Sequence, residues 1–194
     1  MKIEEYLSSF QSEIVNIFGP MLKKIPEIDD PIIYVDGGAN FKIADRGISL
    51  GDNDSYTGKL DHILPTEKEF SDLSFALKHC QKFNQVKLYG FLGGRRDHEL
   101  MNMGEVHHFL APLRNKKVLF DHEIISLSKG KFSIKHDGLF SIFVFESVEL
   151  TLSGDVKFTV KNNQLKPFSS QGLSNESTGD IHIETSGPCF IFLI

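Results

Sequence analysis

A change of sequence pattern near residue 122 is the feature that most constrains how this 194-residue chain can fold. Before it, apolar residues recur at steps of three and four, as on one face of a helix, or form short runs typical of buried parallel strands. After it, short apolar runs alternate with turn signals such as Asp137-Gly138, as in a β-sandwich. We therefore predict an α/β unit over residues 1–121, with a Rossmann-like parallel sheet and flanking helices, and an all-β sandwich over residues 122–194.

Composition argues against several classes of function. The net charge is −5, whereas general nucleic-acid or membrane-surface binding needs a basic field. No stretch approaches the ~20 apolar residues of a membrane span, and the acidic N-terminal segment is not typical of a signal peptide. Cys80 and Cys189 lie far apart, and we interpret both as reduced and buried. We expect a cytoplasmic protein that binds neither nucleic acid nor membrane.

The N-terminal segment has helical spacing. Apolar residues between Ile3 and Leu22 recur at steps of three and four, and Gly19-Pro20 would break or kink a helix. We therefore predict a helix over residues 3–24 and no strand within it.

The first strand predicted from the sequence is the apolar run at residues 32–35. It ends in Asp-Gly-Gly-Ala-Asn at residues 36–40, a glycine-rich turn at the position where open α/β sheets bind ligands. Glycines allow a backbone to approach a ligand closely, although the same residues also suit a plain tight turn.

Two carboxylates follow the next apolar run, at Asp52 and Asp54. In an extended chain, side chains two residues apart point the same way, so both acids would face one spot and repel each other without a cation. Mg²⁺ is a candidate, because it prefers oxygen ligands and usually binds through one or two carboxylates plus substrate phosphates. The alternative interpretation is a polar turn.

Two further segments have helix-start signals. Thr66 and Glu69 form a capping box, which predicts a helix from residue 66. A strand at residues 86–89 leads into Gly93-Gly94-Arg95, and a helix is predicted from about Asp97 to residue 110. Helix N-terminal amides and arginine side chains both suit phosphate oxygens, so this segment predicts a phosphate site.

Five motifs, taken in order, resemble those of thiamin pyrophosphokinase. That family carries an Asp-Gly-Gly-Ala-Asn turn, Gly-Asp-Phe-Asp-Ser, Lys-Asp-x-Thr-Asp, Gly-Gly-Arg-x-Asp-His and a Ser-Asn-Glu loop. The corresponding segments here are residues 36–40, 51–55, 68–72, 93–98 and 174–176. The match extends over residues 32–194, and the order of the motifs makes it specific.

The resemblance implies transfer of a pyrophosphoryl group from ATP, the co-substrate, to thiamine, giving thiamine diphosphate and AMP with Mg²⁺. It implies an α/β nucleotide-binding catalytic domain and a β-sandwich thiamine-binding domain. It also implies a homodimer with the thiamine site at the subunit interface.

Roles for individual residues follow from the resemblance alone. It implies an acidic cluster of Asp36, Asp52, Asp54 and Asp72, in which Asp52, Asp54 and Asp72 bind metal. It implies catalytic roles for Asp72, Arg95 and Asp97, with Asp72 either a ligand or a base near the attacking hydroxyl. It implies ATP contacts from Asp36, Gly37, Gly38, Asn40, Gly93, Gly94, Arg95 and Asn102. It implies thiamine contacts from Ser174 and Asn175.

Three departures from the family pattern keep alternatives open. Asn53 replaces the family's Phe, Glu69 and Ser71 replace Asp and Thr, and the predicted N-terminal helix replaces an expected apolar strand with its glycine-rich turn. One alternative is a diphosphokinase for another hydroxymethyl heterocycle, such as a pterin. The other is a non-catalytic protein that binds a nucleotide or thiamine.

Overall fold

The computed structural model describes residues 2–43, 46–52, 56 and 58–194. The chain divides into two compact units, of which the first ends at Val106 and the second runs from His107 to Ile194.

The first unit is a mixture of strands and helices. Its described strands are β1 (Ile14–Phe18), β2 (Ile32–Val35), β3 (Ile48–Gly51), β4 (His62–Ile63) and β5 (Gln85–Tyr89). Its described helices are α1 (Ile3–Ser8), α2 (Asp72–Lys78) and α3 (Arg96–Leu110), the last of which continues into the second unit, and a 3₁₀ turn at Asp36–Phe41. Among the described residues, no helix is both long and apolar enough to cross a membrane.

The five strands of the first unit form a parallel sheet in the order β5-β1-β2-β3-β4. Parallel strands are typically buried on both faces, and every residue of β2 is buried here. Phe18 packs edge-on against Tyr34 and Tyr89, with both centroid distances at 5.4 Å. The predicted α/β class is therefore confirmed, and the carboxyl ends of all five strands meet at one edge of the sheet.

The helix predicted over residues 3–24 is wrong. Only α1 is helical, and β1 is the strand between β2 and β5. Val15, Asn16 and Ile17 are all fully buried, so both faces of the segment are covered, as in a central strand. A short apolar run does not distinguish a buried strand from a helix by its spacing, and β-branched residues favour the strand. The apolar strand that the sequence prediction omitted is thus present as β1, and Gly19 follows it directly.

The start of α2 also differs from the prediction. The helix begins at Asp72 rather than near Thr66, and its N-cap is Ser71, whose side chain accepts a hydrogen bond from the Ser74 amide at 3.0 Å. A serine at the N-cap is strongly favoured because its oxygen satisfies an amide that has no partner in the helix. The capping-box pattern at residues 66–69 therefore marks the approach to the helix and not its first turn.

The second unit is built from antiparallel strands. They are β6 (Lys117–Phe120), β7 (Ile124–Leu127), β8 (Gly130–Phe143), β9 (Val148–Val156), β10 (Val160–Leu165), β11 (Asn175–Thr185) and β12 (Cys189–Leu193). Their order is β10-β9-β11-β8-β12-β7-β6. The division at 106/107 differs from the predicted one at 121/122. β6 pairs antiparallel with β7 and lies within the second unit.

The core of the second unit is formed by alternate apolar residues of β7 to β12. It includes Leu127, Ile134, Leu152, Leu165 and Ile183, which come from strands distant from one another in the ladder. The all-β character is as predicted. The seven strands are hydrogen-bonded in one continuous order, and their division into the two layers of a sandwich stays a prediction.

A buried histidine predicts how stability depends on pH. His107 is 4% exposed, its Nε2 lies 3.7 Å from Oε1 of Glu146, and its ring packs against Phe145. Burial lowers the pKa of this imidazole, and Glu146 opposes the shift only in part. The stability that comes from keeping His107 neutral should therefore be fully present above about pH 6.5, the pKa of histidine in the unfolded chain. The free energy of unfolding should decrease as the pH falls from there toward the lower pKa of the folded state.

The measurement is urea unfolding of His107→Phe at pH 7.5 and 5.5. The variant should lose less stability than the wild type on acidification, whereas His182→Phe, which changes an exposed histidine on β11, should keep the wild-type difference. Equal losses in His107→Phe and the wild type would contradict this account.

Candidate active site

Three carboxylates converge at the edge of the first unit where the parallel strands end. Asp36 follows β2, Asp52 follows β3, and Asp72 is the first residue of α2. Each offers an oxygen within 4.8 Å of the others, and all three residues are half-buried. Such a group of hard oxygen atoms is suited to a divalent cation such as Mg²⁺.

The turn after β2 is held in an unusual backbone conformation. Asp36 has φ +51°, in the left-handed region, which is uncommon for a residue other than glycine. A Cβ at Gly38 would lie 2.1 Å from the Phe18 carbonyl oxygen, so the turn crosses the end of β1 where only glycine fits. The Asn40 amide donates to the Gly37 carbonyl at 2.9 Å. Gly37, Gly38 and Asn40 thus shape the turn that carries Asp36.

Lys68 is a site residue that the sequence reasoning missed. Its Nζ lies 3.0 Å from Oδ1 of Asp72 and 3.6 Å from Oδ2 of Asp52, and its side chain is only 9% exposed. Burial alone would lower the pKa of this ammonium, but the contacts with Asp72 and Asp52 outweigh it and raise the pKa. Lys68 is the first residue of the 68–72 motif, and its place in that motif is the sequence signal that could have identified it as a site residue.

The start of α2 is fixed by a contact with α3. The Ser71 hydroxyl donates to Oε1 of Glu105 at 2.9 Å while it accepts from the Ser74 amide. These bonds fix the backbone next to Asp72. Ser71 replaces a threonine of the family pattern, and the hydroxyl that makes both bonds is retained.

A cleft of about 360 Å³ lies beside the carboxylates. Asp36 and Asp72 line one part of it, and the 93–95 loop lines another through Gly94 and Arg95. Met21 and Phe91, in the turns after β1 and β5, supply apolar surface. The cleft therefore combines negative charge, a guanidinium and an apolar wall.

The predicted phosphate residues lie at the entry to α3. Arg95 donates to both carboxylate oxygens of Asp97, through Nε at 3.1 Å and Nη2 at 2.6 Å. This contact lowers the pKa of Asp97 to about 2, although both side chains are exposed. Gly93 has φ +83°, and its amide donates to Oε1 of Glu99 at 2.6 Å. The Asn102 side chain donates to the Phe91 carbonyl at 3.2 Å and so braces the loop.

The predicted thiamine residues lie at the start of β11. Asn175 is buried, and its side chain accepts from the Phe158 amide at 3.0 Å and donates to the Phe158 carbonyl at 2.7 Å. Its amide group thus has a structural role. Ser174 is exposed with φ +58°, and its backbone amide donates to the Ser141 hydroxyl at 3.0 Å. Contact of either residue with thiamine stays a prediction.

Three residues of the 51–55 motif, at positions 53, 54 and 55, lie outside the described residues. They include Asp54, predicted as a metal ligand, and Asn53, which replaces a phenylalanine of the family pattern.

Comparison with known proteins gives a clear result for structure and none for sequence. Neither a protein-family model nor a curated protein sequence matches the chain. Among solved structures, thiamine pyrophosphokinase from Bacillus subtilis matches with a TM-score of 0.73 and 23% identity, over 92% of this chain and 97% of that one.

Two further structures match over similar lengths. Thiamin pyrophosphokinase from Geobacillus thermodenitrificans has a TM-score of 0.71 and 22% identity, over 93% of this chain and 97% of that one. The Candida albicans enzyme has a TM-score of 0.67 and 15% identity, over 96% and 89%. The resemblance predicted from the five motifs is therefore confirmed at the level of the fold: the chain has the fold of the thiamine pyrophosphokinases.

Proposed function

We propose that the protein transfers the pyrophosphoryl group of ATP to the hydroxyl group of thiamine, giving thiamine diphosphate and AMP, with Mg²⁺. The observation that carries the proposal is the convergence of Asp36, Asp52 and Asp72 beside a cleft that also contains Arg95. The shared fold and the order of the five motifs support the same reaction.

The residues present fit a divalent cation. The carboxylates carry three negative charges and Lys68 one positive charge, which leaves two negative charges within a few ångströms. Like charges at this range repel strongly when partly buried. Asp36, Asp52 and Asp72 would hold the ion. The resemblance of the 51–55 motif adds Asp54 to the proposed ligands. When bound, Mg²⁺ would neutralise the ATP phosphates and the charge that develops on the leaving AMP.

The protein's own groups would position the reactants. Transfer of this kind depends mainly on positioning and charge neutralisation. Arg95 and the 93–95 amides suit phosphate oxygens, while Met21 and Phe91 give the nucleotide base an apolar surface. Asp72 is paired with Lys68 and surrounded by other carboxylates. This environment supports cation binding by Asp72 rather than action as a general base.

The choice of thiamine as acceptor rests on the motifs and on the names of the similar structures. Ser174 and Asn175 belong to this part of the proposal, as does assembly into a homodimer. A related hydroxymethyl heterocycle such as a pterin is the acceptor to compare directly.

The proposed reaction predicts thiamine-dependent release of AMP. Wild-type protein with ATP and Mg²⁺ should release AMP when thiamine is added, and faster than with a hydroxymethyl pterin. Asp36→Asn and Asp72→Asn should each reduce kcat by roughly 10²–10³-fold, the size of loss seen when one preorganised hydrogen-bond donor of an active site is removed. Product chromatography measures AMP and thiamine diphosphate.

The matched control is Asp29→Asn, because the Asp29 side chain is fully exposed and its contact with Arg46 is long, at 3.8 Å. It should retain wild-type activity. A folded wild-type protein that releases no more AMP with thiamine than without it would exclude the proposed reaction. A preference for the pterin would change the acceptor while leaving the reaction class in place.

The proposed cation site also predicts the effect of replacing Lys68. Lys68→Met removes the ammonium between Asp52 and Asp72, so the carboxylates repel each other without compensation. We expect a loss of about 2–3 kcal/mol in the free energy of unfolding without Mg²⁺, less than for a fully buried pair because the acids are partly exposed. Added Mg²⁺ should restore more stability to this variant than to the wild type.

Thermal and urea unfolding with and without Mg²⁺ measure both effects. Lys42→Met is the matched control, because it breaks the ion pair of Lys42 with Asp61, which includes none of the three clustered carboxylates. That variant should lose stability without specific recovery in Mg²⁺. If Mg²⁺ stabilised Lys68→Met no more than Lys42→Met, the carboxylates would not form the cation site.

A further inference from the structure

The 93–95 loop has its anion-binding donors engaged by the chain's own carboxylates. The Gly93 amide donates to Glu99 at 2.6 Å, and the Arg95 guanidinium donates to both oxygens of Asp97. Charge-assisted bonds of this length are the kind that the same donors form with phosphate. In the structure, therefore, the groups best suited to hold a phosphate are already paired with anionic oxygens.

Glu99 differs from Asp97 because no motif accounts for it. It lies in the first turn of α3, lines the cleft and is half-buried. A Cβ built at Gly93 would have no atom within 4 Å, so the loop is open on that side and has space for a ligand. The carboxylate oxygen of Glu99 thus occupies a position on the Gly93 amide that a ligand oxygen could take.

We propose that the Glu99 carboxylate competes with phosphate for the Gly93 amide and so lowers nucleotide affinity. The inference rests on the proposed function, because it takes the cleft as the ATP site. A phosphate oxygen that binds the Gly93 amide has to displace the Glu99 carboxylate. The displaced carboxylate then remains in a cleft that already holds Asp36 and Asp72, where it repels the triphosphate.

A purely structural role for Glu99 makes a different prediction. Acidic residues in the first helical turn stabilise a helix by themselves, and a brace on Gly93 would favour the loop conformation that binds. In that case Glu99→Ala should weaken nucleotide binding, and Glu99→Gln, which keeps a hydrogen-bond acceptor, should have little effect. If Glu99 competes, removal of its charge should strengthen binding in both variants.

The experiment is calorimetric titration of the full chain with Mg²⁺ and α,β-methylene ATP, whose bridging carbon prevents pyrophosphoryl transfer. We expect Kd to fall by about 5- to 10-fold in Glu99→Ala and Glu99→Gln, equivalent to about 1–1.4 kcal/mol. Tripolyphosphate, which lacks the nucleoside, should show the same order of affinities. The melting temperature of each variant reports any loss of helix stability separately.

The matched control is Glu13→Gln, which removes the same charge immediately before β1, at the opposite edge of the sheet. Its Kd should equal that of the wild type. An unchanged or higher Kd in both Glu99 variants, with nucleotide binding by the wild type intact, overturns this inference and leaves the proposed function standing. No nucleotide binding by any variant, together with no thiamine-dependent AMP release, overturns both.

Discussion

The parallel pairing of β2 with β3 is the constraint on which the site depends. In register, Val35 pairs with Leu50, so Asp36, which follows β2, and Asp52, which follows β3, leave the sheet at the same edge. Open α/β sheets bind ligands at this edge because the chain turns away there and leaves backbone and side chains free to converge. A single-residue shift of either strand would direct its side chains to the opposite face and separate the carboxylates.

The electrostatic repulsion among the three carboxylates is partly compensated inside the first unit. Lys68 is nearly buried and contacts two of the three acids. Burying a charge is costly without a partner, and removing one partner of such a group leaves the others unpaired. The cluster is therefore stable yet still negative, which is the electrostatic state suited to a cation that arrives with a nucleotide. The 93–95 loop shows the opposite arrangement, in which carboxylates compensate the donors of an anion site.

Much of this arrangement can be predicted from the sequence, because it depends on local patterns. The apolar run at residues 32–35, the glycine-rich turn after it and the helix following Gly93-Gly94-Arg95 all have local signals. The convergence of Asp36, Asp52 and Asp72 was implied by the resemblance, and the structure brings these three together.

The features that the sequence does not reveal depend on tertiary contacts. β1 has apolar spacing that suits a helix, and its pairing with β2 and β5 decides for the strand that its β-branched residues favour. The helix start at Ser71 is stabilised by Glu105, which lies 34 residues later. The pairing of Lys68 with Asp52 is likewise visible only once β3 and α2 are in place, and the internal bonds of Asn175 require Phe158 to lie beside it. Within the second unit, the all-β character is local, whereas the continuous ladder depends on how long strands such as β8 pair with both neighbours.

The central claim is that the carboxylates at the edge of the parallel sheet bind a divalent cation together with a nucleotide. The most direct test is anomalous diffraction from crystals grown with Mn²⁺ and α,β-methylene ATP. The account predicts a manganese peak bounded by the carboxylates of Asp36, Asp52 and Asp72, with the phosphates extending toward the 93–95 loop. A nucleotide bound elsewhere, or a manganese peak remote from these three carboxylates, would contradict it.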